Sequence, residues 1–169
     1  MFRVGISGDL LNSRDEPCFG MGPLNLLKDR EDIEISWMDK SITELDTEMT
    51  SKFDAILLNL PKANANCVSD SNCKLKIISR FGVGFDSVDI LAMKKKNIIV
   101  TNTPGLLAED TADLVLTLML ALPRRIYEGS KIVVQGKWNG WSPTHMLGSR
   151  IHGKRLGIIG MGRIGQAIA

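Results

Sequence analysis

Short runs rich in Ile, Leu and Val recur along the chain with helix-compatible stretches between them, and this alternation is the strongest constraint on its fold. The runs are Phe2 to Ser7, Ile33 to Trp37, Asp54 to Asn59, Leu75 to Arg80, Ile98 to Thr101 and Arg155 to Gly160. Strands separated by helices predict a parallel sheet with crossover connections, hence an α/β fold. Ala55-Ile56-Leu57-Leu58 is continuously apolar, as expected of a strand covered on both faces. Helices are therefore expected on both sides of the sheet.

Helix signals fall between these runs. Ser41-Ile42-Thr43-Glu44 has capping-box spacing and predicts a helix running to about Ser51. Lys94-Lys95-Lys96 closes another that begins near Ser87, its cations opposing the negative end of the helix dipole. From Leu107 to about Gln135 the pattern is helical, with Pro123 as a kink or break. The apolar run Leu114 to Leu122 reads as a buried helix, about half of the ~20 residues needed to cross a bilayer. Gly136 to Gly153, rich in Gly, Ser, Pro and Trp, reads as a loop. A domain boundary is expected near Ile98 to Gly105, where a strand ends in the turn-forming Thr101-Asn102-Thr103-Pro104-Gly105.

Composition narrows the function. The 21 Lys and Arg nearly balance the 19 Asp and Glu, so no strong field exists to hold nucleic acid or an anionic membrane. Cys18, Cys67 and Cys73 are odd in number and lack C-x-x-C spacing, which suggests neither a disulfide framework nor a zinc site and fits a reducing cytoplasm. The N-terminal apolar run meets Asp9 at once and does not resemble a signal peptide.

Three segments carry chemistry. In Leu156-Gly157-Ile158-Ile159-Gly160-Met161-Gly162-Arg163-Ile164-Gly165, an expected strand runs into G-x-G-x-x-G and then into a helical pattern. Gly160 permits the tight turn, Gly162 lets a pyrophosphate approach the backbone, and Gly165 lets the helix pack close. The helix start offers unpaired N–H groups to phosphates. The acid that binds a ribose is expected about 20 residues further on. That lies past Ala169, so the choice between NAD and NADP is not readable and the chain looks cut short.

The second segment, Ser79-Arg80-Phe81-Gly82-Val83-Gly84-Phe85-Asp86-Ser87-Val88-Asp89, is a strand ending in a glycine-rich turn. Taken alone, it suits a flexible strand-to-helix connection at least as well as an anion-binding turn. The third, Thr101-Asn102-Thr103-Pro104-Gly105, is followed by a helix start whose Glu109, Asp110 and Asp113 suit its positive end.

In their order, R-F-G-V-G-x-D-S-V-D, T-N-T-P-G with T-A-D-L, W-x-x-W-S-P and G-K-x-L-G-I-I-G-M-G-R-I-G-Q-A-I-A closely resemble the D-isomer-specific 2-hydroxyacid dehydrogenases, nearest the glyoxylate and hydroxypyruvate reductase branch. The resemblance covers about Leu75 to Ala169. It implies a flavodoxin-like substrate domain over residues 1–101, followed by the beginning of a Rossmann domain over 102–169.

By the same resemblance the backbone at Val83 and Gly84 holds the substrate carboxylate, and Thr111 lies beside the cofactor, NAD or NADP. Gly160, Gly162, Arg163, Ile164 and Gly165 wrap its pyrophosphate. Trp141 matches a tryptophan of a dimer arm that can reach the partner subunit's active site, although packing in the interface is the plainer role, and a homodimer is implied. The implied reaction is hydride transfer between nicotinamide and C2 of a small 2-hydroxy or 2-keto acid, with an Arg binding the acid, a His passing the proton and a Glu orienting the His.

All three lie in the family beyond the position matching Ala169, so no catalytic residue is assigned. Arg80, His145 and His152 do not match those positions. No metal site is expected. The alternative reading is a corepressor-like or remnant dinucleotide-sensing binding protein without catalysis, or a flavodoxin-like module with an extra helix. The 169 residues alone are expected to be inactive, poorly soluble and weak in dinucleotide binding.

Overall fold

The computed structural model describes residues 1–169, which form two compact units, Met1–Pro104 and Gly105–Ala169. The first unit holds strands β1 (Phe2–Ile6), β2 (Ile33–Trp37), β3 (Ala55–Leu58), β4 (Ile77–Arg80) and β5 (Ile99–Thr101). Its helices are α1 (Gly22–Lys28), α2 (Thr47–Lys52) and α3 (Ile90–Lys95), with short 3-10 turns at Gly8–Leu10 and Ala65–Val68. All neighbouring strands are parallel, in the order β2-β1-β3-β4-β5. That is the flavodoxin-like order, in which the chain reverses its direction of winding between β1 and β3.

Side-chain alternation divides the core between the two faces. Ile56 and Leu58 of β3 join Phe53, Val68, Ile78 and Met93 on one side. Ala55 and Leu57 join Val4, Ile6, Leu10 and Leu24 on the other. Leu24 comes from α1 and Met93 from α3, so each face has a helical cover, as the continuous apolar runs imply.

The second unit contains α4 (Ala108–Ala121), α5 (Ile126–Val134) and α6 (Arg163–Ile168). The long helical pattern is broken as expected near Pro123, and Arg125 takes a left-handed backbone (φ 55°) as α5 begins. Helix α6 packs against α4. No helix is long and apolar enough to cross a membrane.

Three expectations fail. Arg155 to Gly160 forms no strand and pairs with nothing, because a strand needs a neighbour's ladder and this unit contains no other strand. No helix starts at Ser41: Asp39 accepts both the Ser41 N–H (2.8 Å) and its hydroxyl (2.6 Å), turning the chain instead. The helix starts at Thr47, capped by Asp46, whose carboxylate accepts from the Met49 N–H at 2.9 Å. Finally, Leu114 to Leu122 is helical but not buried, since Leu114, Leu118, Leu120 and Leu122 are more than half exposed and only Ala112 of α4 is buried.

Candidate functional site

In open parallel sheets ligands sit outside the carboxyl ends of the strands, near the point where strand order reverses. Here that edge gathers the segments leaving β1, β3, β4 and β5. Asp9, just after β1, reaches across to the β3 exit and accepts from Asn59 Nδ2 (2.6 Å) and from the Leu60 N–H (3.1 Å). Its other oxygen accepts from the hydroxyl of Ser7, which is fully buried. The carboxylate thereby ties the two loops that flank the reversal point.

The β4 exit is anchored from two sides. The Phe81 N–H donates to the Leu58 carbonyl at 2.8 Å and the Thr103 N–H to the Gly82 carbonyl at 3.0 Å. Asn102 Nδ2 donates to the Val83 carbonyl at 2.7 Å. Gly82 has φ 137°, a region that L side chains rarely adopt. The carbonyls of the turn are thus tied down, while the Val83 and Gly84 N–H groups donate to nothing in the chain and both residues are exposed. Unpaired amides on a fixed backbone suit an anion with oxygen acceptors.

In the second unit, Gly160 has φ 94°, and Gly162 caps α6 from an extended conformation. Gly165 is buried, and a Cβ there would overlap the Gly160 carbonyl oxygen and lie 3.1 Å from its carbon. Around Gly162 there is open space on the side a Cβ would take. Tight turn, open approach and close helix contact are the three tasks the spacing assigns to these glycines, and the cradle fits a pyrophosphate. Arg163 and Ile164 are exposed beside it. Thr111 lies on α4, its hydroxyl donating to the Leu107 carbonyl at 2.6 Å.

Val83 and Gly84 thus belong to the first unit, and Thr111 with residues 160–165 to the second. His145 and His152 are exposed, the former edge-on to Trp138 with ring centroids 5.1 Å apart. Trp141 is 80% exposed. No group of three or more His, Cys, Asp or Glu gathers as metal ligands do. Asp9 and Asn59 were not singled out by sequence, and Asn102 only as part of the Thr101 to Gly105 turn, without its tie to Val83. The available signal was their place immediately after apolar runs, where strand-end polar residues face the ligand edge.

Comparison with known proteins agrees with this architecture. Residues 22–161, well over half of the chain, match the family model described as D-isomer specific 2-hydroxyacid dehydrogenase, catalytic domain. A glyoxylate reductase from Pyrococcus horikoshii is 37% identical over 151 residues, covering 86% of this chain and 45% of the relative. The crystal structure of the TT0316 protein from Thermus thermophilus superposes with a TM-score of 0.77 at 32% identity, covering 99% of this chain and 51% of that one. An NADPH-dependent glyoxylate/hydroxypyruvate reductase from Sinorhizobium meliloti, crystallised with NADP and malonate, gives a TM-score of 0.73 at 28% identity, covering 99% and 48%. The chain spans about half the length of the curated relatives it matches. A five-stranded parallel sheet in this order, the glycine cradle after it and the matched residues together make the chain a member of the D-isomer specific 2-hydroxyacid dehydrogenase family.

Proposed function

We propose that the chain is part of an NAD(P)-dependent oxidoreductase that moves a hydride between nicotinamide and C2 of a small 2-hydroxy or 2-keto acid, of the glyoxylate or hydroxypyruvate type. The observation that carries the reading is the pair of unengaged amides at Val83 and Gly84 on a turn whose carbonyls are tied down. They hold the substrate carboxylate and so orient the neighbouring carbonyl carbon. Relatives named as glyoxylate reductases support the substrate class.

The cofactor supplies the hydride when bound. The chain's own part is to hold it: the Gly160 to Gly165 turn receives the pyrophosphate, with Arg163 and Ile164 wrapping it and Thr111 alongside. NAD and NADP both fit this cradle, and the NADPH-dependent Sinorhizobium relative supports NADP as the first to test. Residues 1–101 then serve as substrate domain and 102–169 open the cofactor domain. A homodimer follows from the exposed leucines of α4, which need a cover, and the absence of disulfides in the chain is in keeping with the cytoplasm.

The test is NADH- or NADPH-dependent reduction of glyoxylate and hydroxypyruvate by the product of the complete coding region. Loss of at least about tenfold in kcat/KM is expected for Gly162→Val, because a side chain there blocks the pyrophosphate. Full-length protein that binds the dinucleotide yet reduces neither acid would replace this reading with a corepressor-like sensing role.

A further inference from the structure

Arg80 is the last residue of β4 and stands three residues before Val83. Its side chain folds across Gly82, where a Cβ would overlap the guanidinium Nη1. Nη1 donates to the Phe81 carbonyl. Nε is buried and donates to nothing, the one buried side-chain polar atom in the chain left without a partner. Arg80 also joins none of the ion pairs. A buried N–H on a charged group is costly when unused, and native structures that keep one have a reason for it. A planar guanidinium with free donors is matched to a carboxylate or a phosphoryl group, which it can grip through two parallel bonds.

Two acids share this edge. Asp9 is occupied by Ser7, Asn59 and the Leu60 N–H. Asp86 lies beside Gly84, 3.6 Å from where a Cβ would stand, and enters no ion pair. Its charge opposes an anion on its own side of the turn and leaves the Arg80 side as the favourable one. A single small carboxylate is already provided for by the Val83 and Gly84 amides. The guanidinium next to them is an additional anchor.

We propose that Arg80 is a specificity-determining residue that binds a second anionic group on the substrate, so that this site prefers 2-keto acids carrying a distal carboxylate or phosphoryl group over monoanionic ones. The proposal rests on the carboxylate role given above to Val83 and Gly84. Recognition by charge-assisted hydrogen bonds makes the second group worth about tenfold in affinity.

The experiment titrates the product of the complete coding region, without dinucleotide, and follows the backbone amide resonances of Val83 and Gly84. Pyruvate is compared with oxaloacetate, and hydroxypyruvate with its 3-phosphate ester, each pair differing by the second anionic group. Oxaloacetate, the phosphate ester or both should bind about tenfold tighter than the matched monoanion, and the pair that shows the gain says whether the distal group is carboxylate or phosphoryl. R80Q should abolish that advantage while changing pyruvate affinity less than about twofold, and R80K, which keeps the charge without the fork, should retain part of it. Should R80Q unfold, R80K carries the comparison, with a loss of about threefold expected for the preferred dianion alone. Equal affinity for the members of both pairs, or equal losses for monoanion and dianion in the variants, overturns the role of Arg80 and leaves the carboxylate turn standing. If pyruvate moves neither amide, the turn itself fails, and the inference about Arg80 falls with it.

Discussion

The α carbon of Gly165 faces the carbonyl of Gly160 so closely that a methyl group on it would overlap the oxygen. Gly165→Ala therefore has to push α6 away from the turn, at a cost of about 1–3 kcal/mol for overpacking. Amide hydrogen exchange should show faster exchange over residues 163–168, whereas Gly162→Ala, with open space and φ −76°, should raise those rates less, through the weaker capping by alanine alone.

Asp9 holds the loops leaving β1 and β3 through three donors. Asp9→Ala leaves the Leu60 N–H, the Asn59 amide and the buried Ser7 hydroxyl without their acceptor. An unfolding free energy lower by about 1–3 kcal/mol is expected from urea titration, and Asp9→Asn, which keeps an acceptor oxygen, should lose less.

The Arg3 N–H, at 3.0 Å, and secondly Lys76, at 3.0 Å, hold the Asp54 carboxyl below the usual carboxylate range. A carboxyl depressed in the folded state adds stability that is fully present above its unfolded pKa, about 4, and is lost as pH falls through the folded value. Urea midpoints measured from pH 6 down to pH 2 should fall below pH 4, and fall less steeply in Asp54→Asn. Equal slopes would show that other carboxylates carry the acid sensitivity.

Burial pushes the Cys67 thiol up to about 11, whereas Cys18 is exposed. At pH 8 a thiol-specific disulfide reagent should label Cys18 within minutes in the native protein and reach Cys67 only in denaturant. Mass mapping of the labelled peptides distinguishes them.

The leucines of α4 make an uncovered apolar face, and Leu114, Leu118 and Leu122 together should drive association of this chain. Replacing the three by Gln should raise the monomer fraction in size-exclusion chromatography with light scattering. The melting temperature of the sheet unit should stay within about 2 °C, since surface changes remote from a core are nearly neutral.

The five parallel strands were legible because each is built on Ile, Leu or Val within a short segment, continuous in Ala55–Leu58 and alternating with polar residues in Ile33–Trp37, whose two ends agree with the expected ones. The break at Pro123, the turn at Gly160 and the close helix contact at Gly165 were legible for another reason: one residue's backbone chemistry decides each. What escaped depends on distant partners. Arg155 to Gly160 reads as a strand, yet whether it pairs is settled by residues elsewhere. Ser41 and Glu44 have capping spacing, but Asp39 competes for the Ser41 groups and Glu44 accepts from Asn64 instead. Helix α1 was overlooked although Pro23 stands in its first turn, a recognisable start signal. The site was half legible. Val83 and Gly84 follow from a motif, whereas the Asn102 tie and the orphaned Arg80 N–H exist only once β4 and β5 lie side by side.

The tie between Asn102 and the Val83 carbonyl has an evolutionary reading. Because the turn is fastened through main-chain atoms and one amide, and only Phe81 packs its ring on the frame, against Phe19, the side chains at positions 83 and 85 are free of any duty to it. Mutation can therefore sample them widely, altering what the edge admits while the unengaged amides of Val83 and Gly84 stay where they are. Selectivity can drift on such a scaffold without the fold having to be reinvented.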